Sequence, residues 1–492
     1  MAWKNLGEFL TSLEEKGDLV RVRSKVSPRL EMTELALRAL RADGPALLFE
    51  QVEGSDWPVA INVLGSDRRI AQALGRQDLG EAAGTIADLL AMKPPSGIVA
   101  MIREPGKTLD LLQQLRSLAP KRVSTAACQK NETDRVDLGR LPILTCWPKD
   151  GGPTVTFPLV ITKNPETGES HTGIYRLQRY GADTLGMHWQ THRVGAENFR
   201  RWSRAGKDMP VAVVIGADPA SIFSSLAPVP EGISKFAFSG LMRGRPVELV
   251  PCRTVDLEVP AESEFVLEGY VRPGESHVEG PFGDHTGYYS LPEPFPVMHV
   301  THMTWRDRPT YLATVTGKPP TEDAVLGRAI TRLFLPVIRM VLPEVKDMDL
   351  PMEGLFINLA VVSIRKSYPY HARKVMHALW GLGQMMFVRY IVVVDEDVNP
   401  HDLREVLYRV SLQADPAEDF ELVRGPVDQL SVSNRLENVG GKVGIDATKK
   451  WPGEGYPRPW PEEARMDPAV QARIDALLSA EPRLAQVLSA RR

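Results

Sequence analysis

The sequence EGPFGDHTGYY, residues 279–289, places two carboxylates and a histidine on a segment that cannot form a helix. Pro281 and Gly283 break regular structure, so the stretch predicts a tight turn that carries both Glu279 and Asp284. Apolar residues flank this turn, and carboxylates in apolar surroundings tend to have shifted pKa values. The stretch therefore predicts a proton-transfer site, with an exposed acidic loop as the alternative.

Around this stretch, from about residue 136 to 304, short β-rich runs are separated by turn residues, a pattern that favours a barrel or a sandwich. Before it, a helix at 4–16 and alternating strands and helices predict an α/β domain. After it, a long helix at about 322–341 precedes a second α/β region. We therefore expect three domains, at residues 1–125, 126–320 and 321–492.

The last region contains apolar runs from which we predict individual elements. The predicted elements are a strand at 355–364, a helix at 371–385, a strand at 387–394, a helix from about 401 and an amphipathic helix at about 468–478.

The composition is that of an ordinary globular protein, 43% hydrophobic and 25% charged with a net charge of -3. Because no basic excess could neutralise phosphates, we expect no nucleic-acid partner. Three cysteines without CxxC spacing argue for a reducing compartment and against a disulfide framework or a thiolate zinc site. No signal peptide or run of ~20 apolar residues is present in the sequence, so we expect a soluble, cytoplasmic protein.

A second cluster, HTGIYRLQ at residues 171–178, lies in the β-rich region. An arginine in an apolar strand needs an anionic partner, because burying an unpaired guanidinium is costly. Glu279, Asp284 or a substrate carboxylate could be the partner of Arg176. The alternative is that Arg176 is a surface strand residue.

Three nearby histidines, His171, His188 and His192, suggest a metal site. His188 and His192 are four residues apart, as on one helical face, but the HExxH pattern is absent. Imidazole together with oxygen donors would suit Mn²⁺ or Mg²⁺ better than structural zinc. Hydrogen-bonded structural histidines are the alternative. The sequence also lacks GxGxxG after a strand, GxxxxGK[ST] and GxSxG, so neither a dinucleotide fold, a P-loop nor a hydrolase elbow is indicated.

Taken together, these blocks resemble the UbiD family of prenylated-FMN-dependent carboxy-lyases over nearly the full length. The matching blocks are PALLF at 45–49, LPILTCWP at 141–148, GIYRLQ at 173–178, GADP at 216–219, residues 279–289, HARKVM at 371–376, KVGIDAT at 442–448 and KWPG at 450–453. The resemblance implies an α/β multidomain fold with an N-terminal α/β domain, a central flavin-reductase-like split β-barrel that binds the cofactor, and a C-terminal α/β domain used in homo-oligomerisation.

The resemblance also implies a site. Arg176, Glu279 and Asp284 would be catalytic, with Asp284 as proton donor, which requires a raised pKa from burial or from Glu279. His285 is a candidate to bind a phenolic oxygen of the substrate, or else a turn-stabilising residue. The implied cofactor-binding residues are Ile174, Tyr175, Arg176, Gln178, His192, Arg193, Glu248 and Lys374.

A metal is implied as well, Mn²⁺ with K⁺ nearby, linking the cofactor phosphate to an Asn, a His and a Glu. The His and Glu positions fall on His192 and Glu248, and His171 occupies the Asn position, so these three are the implied ligands. Imidazole can ligate Mn²⁺, so this departure does not by itself remove the site.

The implied reaction is a non-oxidative decarboxylation, reversible in principle, of an aromatic hydroxylated acid in quinone biosynthesis. The substrate would be of the 3-polyprenyl-4-hydroxybenzoate or 1,4-dihydroxy-6-naphthoate type. A flavin prenyltransferase would supply the cofactor, and a polyprenyl tail would bring the protein to the inner membrane face. The alternatives are a decarboxylase of a small aromatic or heteroaromatic acid, a flavin-binding oxidoreductase and a cofactor-free scaffold subunit.

Overall fold

The structure, a computed structural model, describes residues 3–91, 118–229 and 234–489. It divides into two compact units, one of residues 1–367 and 371–448 and the other of residues 368–370 and 449–492. The larger unit carries all of the sheets in the described residues. The three domain boundaries expected from the sequence stay a prediction.

The N-terminal part of the larger unit alternates helices and strands, as the sequence predicts. In α1, apolar residues recur at helical spacing and are buried, and the Asn5 side chain accepts a hydrogen bond from the Glu8 N–H (2.9 Å). The elements are α1 (Leu6–Glu15), β1 (Leu19–Val26), α2 (Glu31–Arg41), β2 (Ala46–Val52), β3 (Val59–Ile61), α3 (Asp67–Ala73) and α4 (Leu79–Ala91).

The middle part is rich in strands. Its elements are β4 (Lys121–Arg122), β5 (Asn131–Thr133), β6 (Thr154–Val155), β7 (Pro158–Lys163), β8 (Ser170–Ile174), β9 (Leu177–Arg179), β10 (Thr184–Met187), α5 (Val194–Arg204), β11 (Met209–Ile215), α6 (Pro219–Leu226), α7 (Lys235–Arg243), β12 (Glu248–Pro251), β13 (Glu258–Pro260), β14 (Phe265–Glu279), β15 (Glu293–Trp305) and β16 (Tyr311–Leu312).

Most of these strands form one antiparallel sheet in the order β6-β9-β10-β15-β14-β11-β7-β8, with β5 paired to β15. Its long hairpin, β14–β15, pairs Glu279 with Glu293 at the far end. The sheet curls into a half-barrel. This confirms the predicted barrel-like architecture of the middle part, and its detailed domain arrangement stays a prediction. Two smaller sheets run β13-β12-β4 and β1-β2-β3-β16.

The middle of this sheet is covered on both faces. In β7 and β11, Leu159 and Ala212 belong to the core that also contains α1, whereas their neighbours Val160 and Val213 belong to a second core. Because side chains alternate across a strand, both faces being buried explains why these strands are apolar without interruption. The sheet is therefore a rigid platform for the residues at its ends.

The C-terminal part of the larger unit is a five-stranded sheet ordered β17-β18-β19-β21-β20, with α9 and α10 packed on opposite faces. Its elements are α8 (Glu322–Val341), β17 (Val345–Asp349), β18 (Leu359–Ile364), α9 (His371–Trp380), β19 (Tyr390–Asp395), α10 (Leu403–Gln413), β20 (Phe420–Pro426) and β21 (Val439–Asp446).

Three predicted boundaries in this part were wrong, and one of them is the start of β19, which lies at Tyr390 rather than 387. The strand begins at Leu359 rather than 355, because Leu355 and Phe356 have φ of 57° and 50°, which a strand cannot adopt. The helix predicted to reach 385 ends at Trp380, and residues 383–387 form a short 3₁₀ turn before β19. The apolar pattern continues through both breaks, so it does not mark them.

The smaller unit contains α11 (Pro468–Ala480) and α12 (Pro482–Ser489). The helix predicted at 468–478 is present, but its apolar side chains, Val470, Ile474 and Leu477, are at least one-third exposed. Searching the described residues finds no helix of the length and apolar character that crossing a membrane requires.

Candidate active site

Arg176 lies between β8 and β9 and is held by two carboxylates. Its Nε and one terminal nitrogen donate to the two oxygens of Glu279, at 2.8 and 3.1 Å, and the other terminal nitrogen donates to Asp284. The guanidinium also stacks on the Phe282 ring, 4.7 Å from its centroid. The side chains of Arg176 and Glu279 are 9% and 1% exposed, so Arg176 is not a surface strand residue.

Glu279 and Asp284 reach Arg176 from different kinds of structure. Glu279 is the last residue of β14, which corrects the prediction that both carboxylates lie on a turn. Asp284 does lie on a turn, closed by hydrogen bonds from the Asp284 N–H to the Tyr288 carbonyl (3.1 Å) and from the Gly287 N–H to the Asp284 carbonyl (2.8 Å). The strand fixes one acid and the turn fixes the other.

The turn is fastened to a neighbouring loop. The Gly283 N–H donates to Asp150 (2.9 Å), and the Trp147 indole donates to the Thr316 carbonyl (3.0 Å). A Cβ atom on Gly283 would lie 2.2 Å from the Trp147 ring, so this close approach requires glycine. Asp284 is thereby held in place by parts of the chain that precede and follow it.

The two carboxylates are ionised. Burial would raise the pKa of Glu279, but hydrogen bonds from His188 and Arg176 outweigh burial and lower the pKa to about 2. Burial likewise opposes ionisation of Asp284, yet Arg176 and His285 hold its pKa well below the usual range. This corrects the expectation of a raised pKa for Asp284, because the cation between the acids dominates their mutual repulsion.

His285 carries the balancing charge. Burial would lower its pKa, but its bond to Asp284 (Nδ1 to Oδ1, 3.1 Å) and the nearby Asp428 raise it to about 9. Its Nε2 lies 3.9 Å from Asp428, and its ring packs edge-on to Phe356 at 5.8 Å. The C-terminal region therefore contributes to the site, which the sequence did not predict.

Of the two expectations for His188, a metal ligand or a hydrogen-bonded structural histidine, the structure agrees with the second and places its Nδ1 3.2 Å from a carboxylate oxygen of Glu279. Burial and then Arg176 lower the pKa of His188, so the ring is neutral. Its Nε2 and the Trp189 indole nitrogen are buried and have no hydrogen-bond partner among the described residues. Such atoms are the places where a bound molecule can complete the pairing.

Three of the predicted cofactor-binding residues, Ile174, Tyr175 and Gln178, lie close to Arg176 in the sequence. Gln178 accepts from the Gly280 N–H (2.7 Å) beside the acids, while Ile174 packs against the core shared with α1. The Tyr175 hydroxyl accepts from the Gly195 N–H (3.3 Å) at the start of α5 and contacts His171 Nε2 (3.2 Å).

The remaining predicted residues are more dispersed. Arg193 donates to Gln384 (3.4 Å), and His192 is exposed with its ring 5.6 Å from Phe387. Lys374 is paired with Glu344 on the C-terminal sheet. No described contact joins Lys374 to Arg176, Glu279 or Asp284. The predicted contact between Lys374 and the cofactor phosphate therefore has no support in the geometry.

The implied metal ligands do not form a cluster. No group of three or more His, Cys, Asp or Glu side chains suited to a metal occurs within the described stretches of the chain. Glu248 is exposed on β12 and lines a surface pocket with basic residues that include Lys121 and Arg245. Instead of carboxylates, the charges that act on His171 are those of Lys235 and Arg193.

Comparisons with known proteins match every large region of the chain. Three domain models of 3-octaprenyl-4-hydroxybenzoate carboxy-lyase match, the N-terminal domain at residues 10–89, the UbiD Rift-related domain at 121–319 and the C-terminal domain at 324–447. An uncharacterized protein of Archaeoglobus fulgidus is 49% identical over 479 residues, which is 97% of this chain and 98% of that protein.

Two solved enzymes share the fold. The vanillic acid decarboxylase of Sedimentibacter hydroxybenzoicus, in closed form, is 26% identical with a TM-score of 0.84, covering 97% of this chain and 99% of that one. The UbiD-class enzyme HmfF of Pelotomaculum thermopropionicum in complex with FMN is 31% identical with a TM-score of 0.77, covering 95% and 98%. An evolved dimeric form of HmfF in complex with prFMN is 30% identical with a TM-score of 0.76 and the same coverage.

Proposed function

The chain belongs to the UbiD family of carboxy-lyases, and from that premise we propose that it removes CO₂ from an aromatic hydroxylated acid with prenylated FMN as cofactor. The observation that carries the proposal is the buried group of Arg176, Glu279 and Asp284. A guanidinium held in place by one carboxylate and bonded to a second carboxylate can orient a carboxylate substrate, and the second carboxylate can carry a proton.

Two buried atoms support a bound flavin. His188 Nε2 and the Trp189 indole nitrogen have no partner among the described residues, and both residues directly follow β10; the His188 ring contacts Glu279, and the Trp189 ring contacts Tyr175. A planar ring system with polar edges fits that need. When bound, prenylated FMN supplies an electrophilic centre that takes up the electron pair released as CO₂ leaves. The proposed cofactor set does not include Mn²⁺ or K⁺, because the residues around His171 do not fit them.

The protein side of the reaction follows from the charges. Arg176 binds the substrate carboxylate, and this added negative charge raises the pKa of the adjacent Asp284. The proton then passes from His285 Nδ1 to Asp284, whose oxygen is 3.1 Å away. After CO₂ has left, Asp284 gives this proton to the ring carbon that carried the carboxylate, and the electron pair left by CO₂ forms the new C–H bond. Glu279 stays ionised and keeps Arg176 oriented, while His285 regains a proton from solvent.

For the substrate we propose an acid of the quinone pathways, either 3-polyprenyl-4-hydroxybenzoate or 1,4-dihydroxy-6-naphthoate. The exposed apolar side chains beside the catalytic turn, Val278, Tyr288 and Leu291, are 62%, 64% and 76% exposed and would suit a large apolar group. A small aromatic acid is the alternative, because one structural relative is a vanillic acid decarboxylase.

The test is to co-express the chain with a flavin prenyltransferase, identify the bound flavin by mass, and follow CO₂ release from both quinone-pathway acids, vanillate and 3,4-dihydroxybenzoate. Release from any of them supports the proposal and names the substrate class. NAD(P)H oxidation with ordinary FMN, without CO₂ release, would instead identify an oxidoreductase. A protein that takes up no flavin would be a scaffold subunit.

The pH dependence should report the proton on His285. Since the folded-state pKa of His285 is raised to about 9, the proton is present below that value and is lost as pH rises through it. We expect kcat/KM to fall on the alkaline side near pH 9 and the contribution of this pair to stability to fall with it. In His285→Gln this alkaline limb should disappear. An unchanged limb in the folded variant would assign the titration to another group.

We also propose a homo-oligomer built through the C-terminal region. On α10, Leu407, Tyr408 and Leu412 are 64%, 56% and 59% exposed, which is unusual for side chains of this size on one helix. Light scattering should give a mass above that of one chain, and Leu407→Lys with Leu412→Lys should reduce it. Thr167→Lys, at an exposed residue between β7 and β8, is the control. An unchanged mass in the double variant would place the interface elsewhere.

A further inference from the structure

Beside Tyr175, three basic side chains converge where a metal was expected. Lys235 is the first residue of α7, and its amine donates to the Ser225 carbonyl (2.6 Å) near the end of α6. Since α6 packs against β8, this places the amine next to the strand that carries His171. Arg193 immediately precedes α5, whose Gly195 N–H donates to the Tyr175 hydroxyl.

The electrostatics agree with this placement. Lys235 and Arg193 are the charged groups that act on His171, and Arg193 also acts on Lys235. Burial lowers the pKa of Lys235 to about 8. These are the effects of cations gathered in a partly buried space without a compensating carboxylate among the charges that act on them.

The amine of Lys235 is not satisfied by the protein. An ammonium group has three donors, whereas the described residues offer it one acceptor, the Ser225 carbonyl. The adjoining end of α5 adds backbone donors that the Arg193 side chain does not cap, although one N–H of this turn, that of Gly195, already donates to the Tyr175 hydroxyl. The positive end of the helix and two cationic side chains thus face the same region.

Such a site does not fit a divalent cation. Mn²⁺ binds to carboxylate, imidazole and other oxygen donors, and a second positive charge beside a partly buried ammonium and guanidinium would be repelled. Glu248, the only carboxylate of the implied ligand set, lies instead among the basic residues of a separate surface pocket.

We propose that Lys235 and Arg193, together with the first turn of α5, bind the phosphate group of the flavin directly, without a bridging divalent cation. The proposal rests on the proposed function in taking a flavin as the ligand. His171 lies five residues before Arg176, at most about 17 Å along an extended chain, and we therefore assign a phosphate held here to the flavin whose ring reaches the catalytic group. Lys235 replaces the metal by supplying the positive charge itself.

The test compares FMN with riboflavin, which lacks the phosphate. The dissociation constants are measured by quenching of flavin fluorescence on the full chain, first in EDTA and then with excess Mn²⁺. We expect the FMN constant to agree within about threefold under the two conditions. Lys235→Met should weaken FMN binding by about 10- to 100-fold, the loss of one charged hydrogen bond and its ion pairing, and leave riboflavin binding unchanged.

Lys207→Met, at an exposed lysine that follows α5, is the matched control and should change neither constant. Unchanged riboflavin binding also shows that Lys235→Met is folded. FMN binding that requires Mn²⁺, or an unchanged FMN constant in Lys235→Met, would overturn the proposal even if the enzyme releases CO₂. Conversely, Lys235-dependent FMN binding in EDTA by a chain that decarboxylates none of the acids would uphold it while removing the proposed function.

Discussion

Asp284→Asn should reduce CO₂ release by about 10³- to 10⁴-fold while leaving the bound flavin in place. Asparagine has the same shape and can still accept the hydrogen bond from the His285 N–H, which is 2.7 Å from the Asp284 carboxylate. It cannot, however, receive a proton from His285 and pass it to carbon. The measurement is single-turnover CO₂ release together with the flavin content of the purified protein.

Asp208→Asn is the matched control, since Asp208 is half-exposed and its nearest ion-pair partner, Arg272, is 4.0 Å away. Its rate should equal that of the wild type. A fully active Asp284→Asn protein would remove Asp284 from the reaction. A variant that loses the flavin together with activity would give Asp284 a structural role instead.

Arg176→Met should abolish turnover and lower the free energy of unfolding by about 3–5 kcal/mol, because it leaves two buried carboxylates without their cation. The pKa values of both acids would then rise, because Arg176 no longer opposes burial and only the bonds to His188 and His285 still do. Arg176→Lys keeps the charge but cannot make the paired bonds to Glu279, so it should recover stability more than activity. Thermal unfolding and kcat/KM measure the two effects separately.

Arg204→Met, at an exposed residue of α5, is the control for the loss of an arginine side chain. Activity in Arg176→Met above about a tenth of the wild-type value would show that another cation orients the substrate. Unchanged thermal unfolding would show that Glu279 and Asp284 find other partners in the folded protein.

The sequence was most informative where a local rule left few solutions. Arg176 in an apolar strand context was expected either to meet an anion or to lie at the surface, and the structure brings it to Glu279 and Asp284; their catalytic roles stay predictions. Alternating and uninterrupted apolar runs placed the strands and helices of both α/β regions. The same rule failed at Leu355, where apolar residues continue through a backbone conformation that no strand adopts.

Features that depend on contacts between distant parts of the chain could not be predicted from local sequence patterns. The pKa of Asp284 depends on a cation 108 residues away in sequence, and burial alone suggested the opposite direction. Lys235 had a local signal that was overlooked, a lysine directly before buried Phe236 and near buried Phe238. A charged residue opening an apolar helix is a reason to look for an anion.

The contact between His285 and Asp428 affects how the enzyme is made. The turn that carries Asp284 and His285 leaves the ribosome about 140 residues before Asp428. At about 5–20 residues per second, translation of the residues between them takes roughly 7–30 s. During that time the nascent chain already contains Arg176, Glu279 and Asp284, but the segment that covers them has not been translated. Shielding of this polar centre by a chaperone, or slow translation of the last third, would therefore influence the yield of active enzyme.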